Sequence, residues 1–336
     1  MGFTNFPNGV TSFGVPAAGG GRFDGWWGKT YFVDPDNGRD ADDGLTPTTA
    51  MAYLQTAITA ATINDVIYVR NREQDITSTD GETILPESTT NISVAEAKTH
   101  LSIIGASNVS HLPYSAAGYA VILKGTATAN TTAVIDVQAP FCLIENLGFH
   151  RGGSTAGGLI SLTGNSTSAR AMGTVINNCL FRLYSNNTEA AIYNLDNWFT
   201  SIYSCDFHDC NAGVMYRGSN STIRRNRIDS CVFHNQTAAS VSSNIIFSGS
   251  SGQDNTVANC EFIGETPTAT DHGSVSTAAW ITAVDAIQGT VVNCSFASDL
   301  ADGASGTGLT PNGLTTTACD QAKWEANSGR GGLVGS

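Results

Sequence analysis

Charge is scarce in this chain: 13% of its 336 residues are Asp, Glu, Lys or Arg, and the only lysines are Lys29, Lys98, Lys124 and Lys323. With a formal charge of −13, it repels nucleic acid and anionic membrane surfaces, so neither is expected as a partner. No apolar run approaches the length of a membrane-spanning helix. The start lacks both the basic stretch and the apolar core of a signal peptide, so the expectation is a soluble product made in the cytoplasm. Ala-Leu-Glu-Lys stripes are sparse over residues 100–300, which argues against helical repeats. There is no CxxC pair, and no histidine stands at zinc-ligand spacing from a cysteine, so neither a structural zinc nor any cofactor is expected.

What the chain does have is a recurring pattern: aliphatic, any residue, Asn or Ser, Cys or Leu, any residue, Phe. It occurs at Ile144–Phe149, Ile176–Phe181, Ile202–Phe207, Ile228–Phe233, Val257–Phe262 and Val291–Phe296, with successive Phe positions 32, 26, 26, 29 and 34 residues apart. A period in that range, with loop insertions, is the signature of a solenoid. Within each unit the two-residue alternation slips phase at the Asn, and a slip there means a bend. Asn tolerates the left-handed conformation a sharp corner needs, and stacked Asn side chains can bond along the axis. Apolar runs such as Leu159-Ile160-Ser161-Leu162, Val214-Met215-Tyr216 and Ile245-Ile246-Phe247 supply a third strand. The expected fold is all-β: a single-stranded right-handed parallel β-helix. Cys179, Cys205, Cys231, Cys260 and Cys294 share one repeat position. Stacked parallel side chains do not offer disulfide geometry, so a buried ladder of reduced thiols is expected.

The ends differ from the repeats. Residues 1–28 scatter Phe3, Phe6, Phe13, Trp26 and Trp27 among Gly, Pro and Asn without periodicity. A segment that cannot bury its own aromatics reads as an assembly arm binding a partner through them, the alternative being an arm that folds back to plug the open end of the β-helix. Residues 29–72 read as a cap: a strand at Thr30–Val33, an acidic loop, a helix begun by Thr48 or Thr49 that presents Met51, Leu54, Ile58 and Ala61 on one face, and a strand at Asp65–Val69. The β-helix is expected over 73–300. Residues 301–336 form a Gly/Ser/Thr-rich tail with a short helical candidate at 318–327.

Three clusters could carry chemistry. Asp34, Asp36, Asp40, Asp42 and Asp43 offer oxygen enough for calcium but lack EF-hand spacing, and Asp with Gly is also ordinary turn chemistry. The residue after the repeat Phe is His150, Arg182, His208 and His234 on consecutive units, an outward position by alternation. Asp206, His208, Asp209 and Arg182 are the catalytic set if the chain is an enzyme, but a solvated or subunit-contact stripe is the preferred account of them. Arg224-Arg225-Asn226-Arg227 reads as a contact to a partner's carboxylates. Tyr184, Tyr193, Trp198, Tyr203 and Tyr216 form an aromatic surplus that could stack on sugars.

Tyr31-Phe32-Val33-Asp34, Asp43-Gly44-Leu45-Thr46-Pro47-Thr48-Thr49-Ala50 and Asp65-Val66-Ile67-Tyr68-Val69 resemble the N-terminal cap of pectin-lyase-like right-handed β-helix proteins. The opening Phe3-Thr4-Asn5-Phe6-Pro7-Asn8-Gly9-Val10-Thr11-Ser12-Phe13-Gly14 is similar to the starts of virion structural proteins of tailed bacteriophages. The resemblance implies a homotrimer on a phage particle, as a capsid decoration protein, head fibre or tail spike. The implied partner is the major capsid protein or another virion protein, and for a spike it is a host polysaccharide. The Gly-His-Gly and paired-Asp arrangement of polygalacturonases and the Arg-x-Pro-x-x-Arg of lyases are absent, so a non-enzymatic virion protein is the expectation.

Overall fold

The computed structural model describes residues 10–12, 15–18, 28–70, 92–106, 122–125, 133–151, 158–163, 171–183, 190–208, 210, 212–218, 223–235, 244–249, 252–264, 281–283, 287–298, 309–310, 314–317, 320–323 and 332–334. Three parallel sheets, here A, B and C, share the chain in rotation. One rung runs Ile135–Val137 (A), Leu143–Glu145 (B), Gly148–Arg151 (C), and the next Ile160–Thr163, Val175–Asn177, Leu180–Leu183. Each strand pairs in parallel with its counterpart one rung on.

Register explains the repeat. Phe149, Phe181, Phe207, Phe233, Phe262 and Phe296 occupy one file of sheet C. The rings from Phe149 to Phe262 stack face to face, with centroids 4.6–5.3 Å apart. Each of these five is buried and contributes about 1.5–3 kcal/mol by leaving water. Ile144, Ile176, Ile202, Ile228, Val257 and Val291 form the matching file of sheet B. The repeat cysteines are free and buried. Their S–H groups lean on backbone carbonyls, as from Cys205 to Tyr203 at 3.1 Å.

The corner between sheets B and C is where the phase slips. Asn146, Asn178, Ser204, Ser230, Asn259 and Asn293 all have φ between 49° and 56°, the left-handed region that Asn tolerates. Asn178 donates to the Asn146 side chain at 2.7 Å and Asn293 to that of Asn259 at 2.7 Å, while Asn259 donates to Asp229 at 2.9 Å. A second left-handed corner precedes sheet B, at Asn64, His100, Phe141, Gly173, Phe199, Arg225 and Asp254. There each N–H from Asn64 to Arg225 donates to a carbonyl of the next rung, so the hydrogen-bond ladder continues around the bend.

The cap departs from its expected form. The helix is Leu54–Ala60, and what precedes it is a 3-10 turn, Pro47–Thr49, closed by a capping box between Thr46 and Thr49. Met51 bridges in parallel to Val33, donating to the Phe32 carbonyl and accepting from the Asp34 N–H at 2.9 Å each. Backbone pairing therefore takes Met51 out of the helix, although Met51, Leu54, Ile58 and Ala61 are all buried as the periodicity required. The helix packs against Thr30–Val33, Val66–Val69 and Ile92–Val94 and so covers the N-terminal end of the solenoid core.

At the other end the rungs pass residue 300, with Leu309–Thr310, Leu314–Thr317 and Asp320–Lys323 each adding a parallel strand to sheets A, B and C. The helical candidate at 318–327 is thus overturned over Asp320–Lys323 by lateral strand pairing. Gly332–Val334 then pairs antiparallel with Asp320–Lys323 and closes that edge. Val10–Ser12 and Val15–Ala18 form a separate antiparallel hairpin. No helix among the described residues is long and apolar enough to cross a membrane.

Candidate functional site

On sheet C the residue after each Phe lies on the face opposite the core. Register places Lys124, His150, Arg182, His208 and His234 there in one file over consecutive rungs. Lys124 joins a stripe that the repeat pattern alone did not reach, because its own rung carries Leu123 in place of Phe. The side chains of His208 and His234 are described, and although they lie on the outer face as expected, both residues are buried, 4% and 8% exposed.

Asp206 shares this face with His208, two residues apart on one strand, and its Oδ2 lies 3.1 Å from His208 Nε2. The other carboxylate oxygen, Oδ1, is buried without a hydrogen-bond partner among the described residues. The Nδ1 atoms of His208 and His234 face each other at 3.4 Å, with the rings 85° apart. The structure thus joins Asp206 to His208 and adds His234. Asp209 lies outside the described residues, as do Tyr184 and the arm aromatics Phe3, Phe6, Phe13, Trp26 and Trp27; Arg182 is placed by register alone.

The acidic loop is held together by its own carboxylates. Asp34 pairs with Arg70 at 2.7 Å and accepts the N–H groups of Asp36 and Asn37. Asp40 accepts those of Ala52 and Tyr53 just before the helix, where Tyr53 supplies no side-chain cap. Asp43 takes the Leu45 N–H and the Thr49 hydroxyl. Burial works to raise the Asp34 carboxyl, and the Arg70 guanidinium with the two backbone N–H groups outweighs it, leaving the group below its ordinary value. No group of three or more His, Cys, Asp or Glu placed to hold a metal occurs among the described residues, so the calcium candidates Asp34, Asp36, Asp40, Asp42 and Asp43 form no such group.

The arginine cluster also makes contacts within the chain. Arg227 Nε donates to Asp229 at 2.9 Å, and Arg225 pairs with Asp254 at 3.5 Å and lies over the Phe199 ring. Arg224 lies over Trp198. Of the proposed sugar-stacking aromatics, Tyr216 is fully buried against Phe247. Among the described residues the exposed Phe rings are Phe141 and Phe199, at 46% and 45%, both at left-handed corners. Sequence reasoning missed them; the signal was their position just before each sheet B strand, in a file that also contains Gly173.

Three sheets, parallel from rung to rung and joined through stacked left-handed corners, decide the architecture. The chain is a three-sheet parallel β-helix. No family model and no curated protein matches this β-helix. Among solved structures it is similar to the ORF18 protein of Geobacillus virus E2, at 13% identity and a TM-score of 0.47, covering 79% of this chain and 52% of that one. It spans about half that protein's length. It is also similar to a rhamnogalacturonan lyase, with 15% identity, a TM-score of 0.40 and coverage of 80% and 68%. Pectate lyase Pel9A gives 9% identity, a TM-score of 0.41 and coverage of 89% and 81%.

Proposed function

We propose that the β-helix is a structural component of a tailed-phage virion, a capsid decoration protein of the cement or head-fibre kind, docked through its N-terminal arm. The observation that carries this reading is the separateness of the arm's described part. Val10–Ser12 and Val15–Ala18 pair with each other and with no strand of the three sheets, whereas the solenoid meets its own end needs through the Leu54–Ala60 helix and the Gly332–Val334 strand. In this reading the partner is the major capsid protein or another virion protein, the rod is a homotrimer, its thiols form a reduced ladder, and its location is the virion. Deleting residues 1–28 is expected to leave a folded β-helix that no longer joins particles. A truncated protein that still co-purifies with particles refutes the docking role.

A second reading, a tail spike that binds or depolymerises host surface polysaccharide, is favoured by one observation, the Asp206 to His208 contact beside a buried second histidine. An Asp206→Asn, His208→Ala double variant tested on capsular polysaccharide separates the two readings. Product formation by the parent and not by the variant supports the spike; no variant-sensitive product removes it.

A further inference from the structure

His208 and His234 stand in register on adjacent rungs of sheet C, outside the apolar core yet buried. Their Nδ1 atoms are 3.4 Å apart. That is longer than the ordinary N–H···O hydrogen bond of about 2.7–3.2 Å. It matches another geometry closely: two imidazole nitrogens each about 2.0–2.1 Å from one tetrahedral ion lie about 3.3–3.4 Å from each other.

The far side of the same unit is built as a metal-bound histidine requires. A ligating imidazole usually gives its other ring N–H to a carboxylate, which fixes the tautomer and the ring orientation. His208 does so through Nε2, 3.1 Å from Asp206 Oδ2. On its other side, His208 Nδ1 faces His234 Nδ1. Asp206 Oδ1 is buried without a hydrogen-bond partner among the described residues.

We propose that His208 and His234 bind a divalent transition-metal ion of the zinc class through their Nδ1 atoms, with Asp206 as the carboxylate that orients His208. Imidazole donors of this kind suit zinc, cobalt, nickel or copper rather than calcium or magnesium. Two protein ligands leave the remaining positions to water or an incoming donor. An ion here would tie two rungs together across sheet C, and this holds whether the protein decorates a capsid or forms a spike.

The test uses the full chain, stripped with a chelator under reducing conditions and titrated with Zn²⁺ by calorimetry and with Co²⁺ by visible absorption. The expected result is one ion per chain and a Co²⁺ spectrum without thiolate charge transfer. Binding should be lost in His208→Ala and in His234→Gln, and weakened about 10–100-fold in Asp206→Asn. The glutamine variant keeps size and hydrogen-bonding capacity, so it tests ligation apart from folding. Failure of the parent protein to take up a stoichiometric ion overturns the proposal. So does uptake that persists in His234→Gln, or a thiolate band that places the ion on cysteine.

Discussion

Truncating Phe207 to alanine should break the solenoid at its most regular point. Phe207 is 1% exposed and lies between Phe181 and Phe233, with centroids 4.8 and 4.6 Å away. The removed ring costs its transfer energy plus the cavity left behind, about 3–5 kcal/mol for a Phe→Ala change in a packed core. The neighbours are held by their own strands and cannot collapse inward, so the upper part of that range is expected. Against a total of about 5–15 kcal/mol for an ordinary domain, this is a large fraction. Phe207→Leu removes three carbons and should cost about 2 kcal/mol. In a solenoid each rung is coupled mainly to its neighbours, so the loss should also appear locally. Equilibrium urea unfolding measures the total, and amide hydrogen exchange locates it. Protection should fall most in the Leu180–Leu183 and Val232–Asn235 strands and least at Thr30–Val33. A loss below about 1 kcal/mol, an alanine variant no worse than leucine, or uniform loss of protection would refute the reasoning.

Three further outcomes are expected. A Cβ on Gly173 would sit 2.3 Å from Phe141 Cδ1 at a backbone φ of +69°, so Gly173→Ala should cost about 2–4 kcal/mol by thermal unfolding. About 1–2 kcal/mol of that backbone cost should survive in a Phe141→Ala background, giving a measurable coupling. Acid should destabilise the fold through Asp34 and Asp229. At Asp229, burial opposes ionisation but is outweighed by hydrogen bonds from Asn259, Arg227 and Ser230, so its folded value is lowered like that of Asp34. Their contribution is complete above the unfolded carboxyl value near 3.9 and lost as pH falls through the lower folded values. Asp229→Asn should therefore lose about 1–2 kcal/mol at pH 7 and show a flatter stability profile below about pH 4. Burial pushes the Cys142 thiol up to about 12 and raises Cys205 as well, so both should resist alkylation at pH 8 in the native protein and react once it is unfolded, as peptide mass spectrometry would show.

The solenoid was legible in the sequence because its energetics repeat. A residue facing the core in one rung faces it in the next, so Ile, Cys and Phe recur at fixed offsets, and the left-handed corner demands Asn or Ser at each turn. The chemistry on the outer face follows no such rule. There the sequence correctly brought Asp206 and His208 together, since residues two apart share a strand face. It also assigned the stripe to the outer side, but alternation fixes direction and says nothing of cover, so the burial of His208 and His234 was not foreseen. The helix start failed for a related reason: Met51 has the right spacing for a helical face, yet its backbone groups are claimed by Phe32 and Asp34 across a bridge. Local periodicity names which side chains are buried, and long-range pairing decides what backbone carries them. The same distinction separates the two left-handed corners. At the Asn corner, side chains bond to one another along the axis and so leave a sequence signature. At the second corner a continuous ladder of backbone N–H groups runs from Asn64 to Arg225, and His100, Phe141, Gly173, Phe199 and Arg225 differ in type while sharing one conformation.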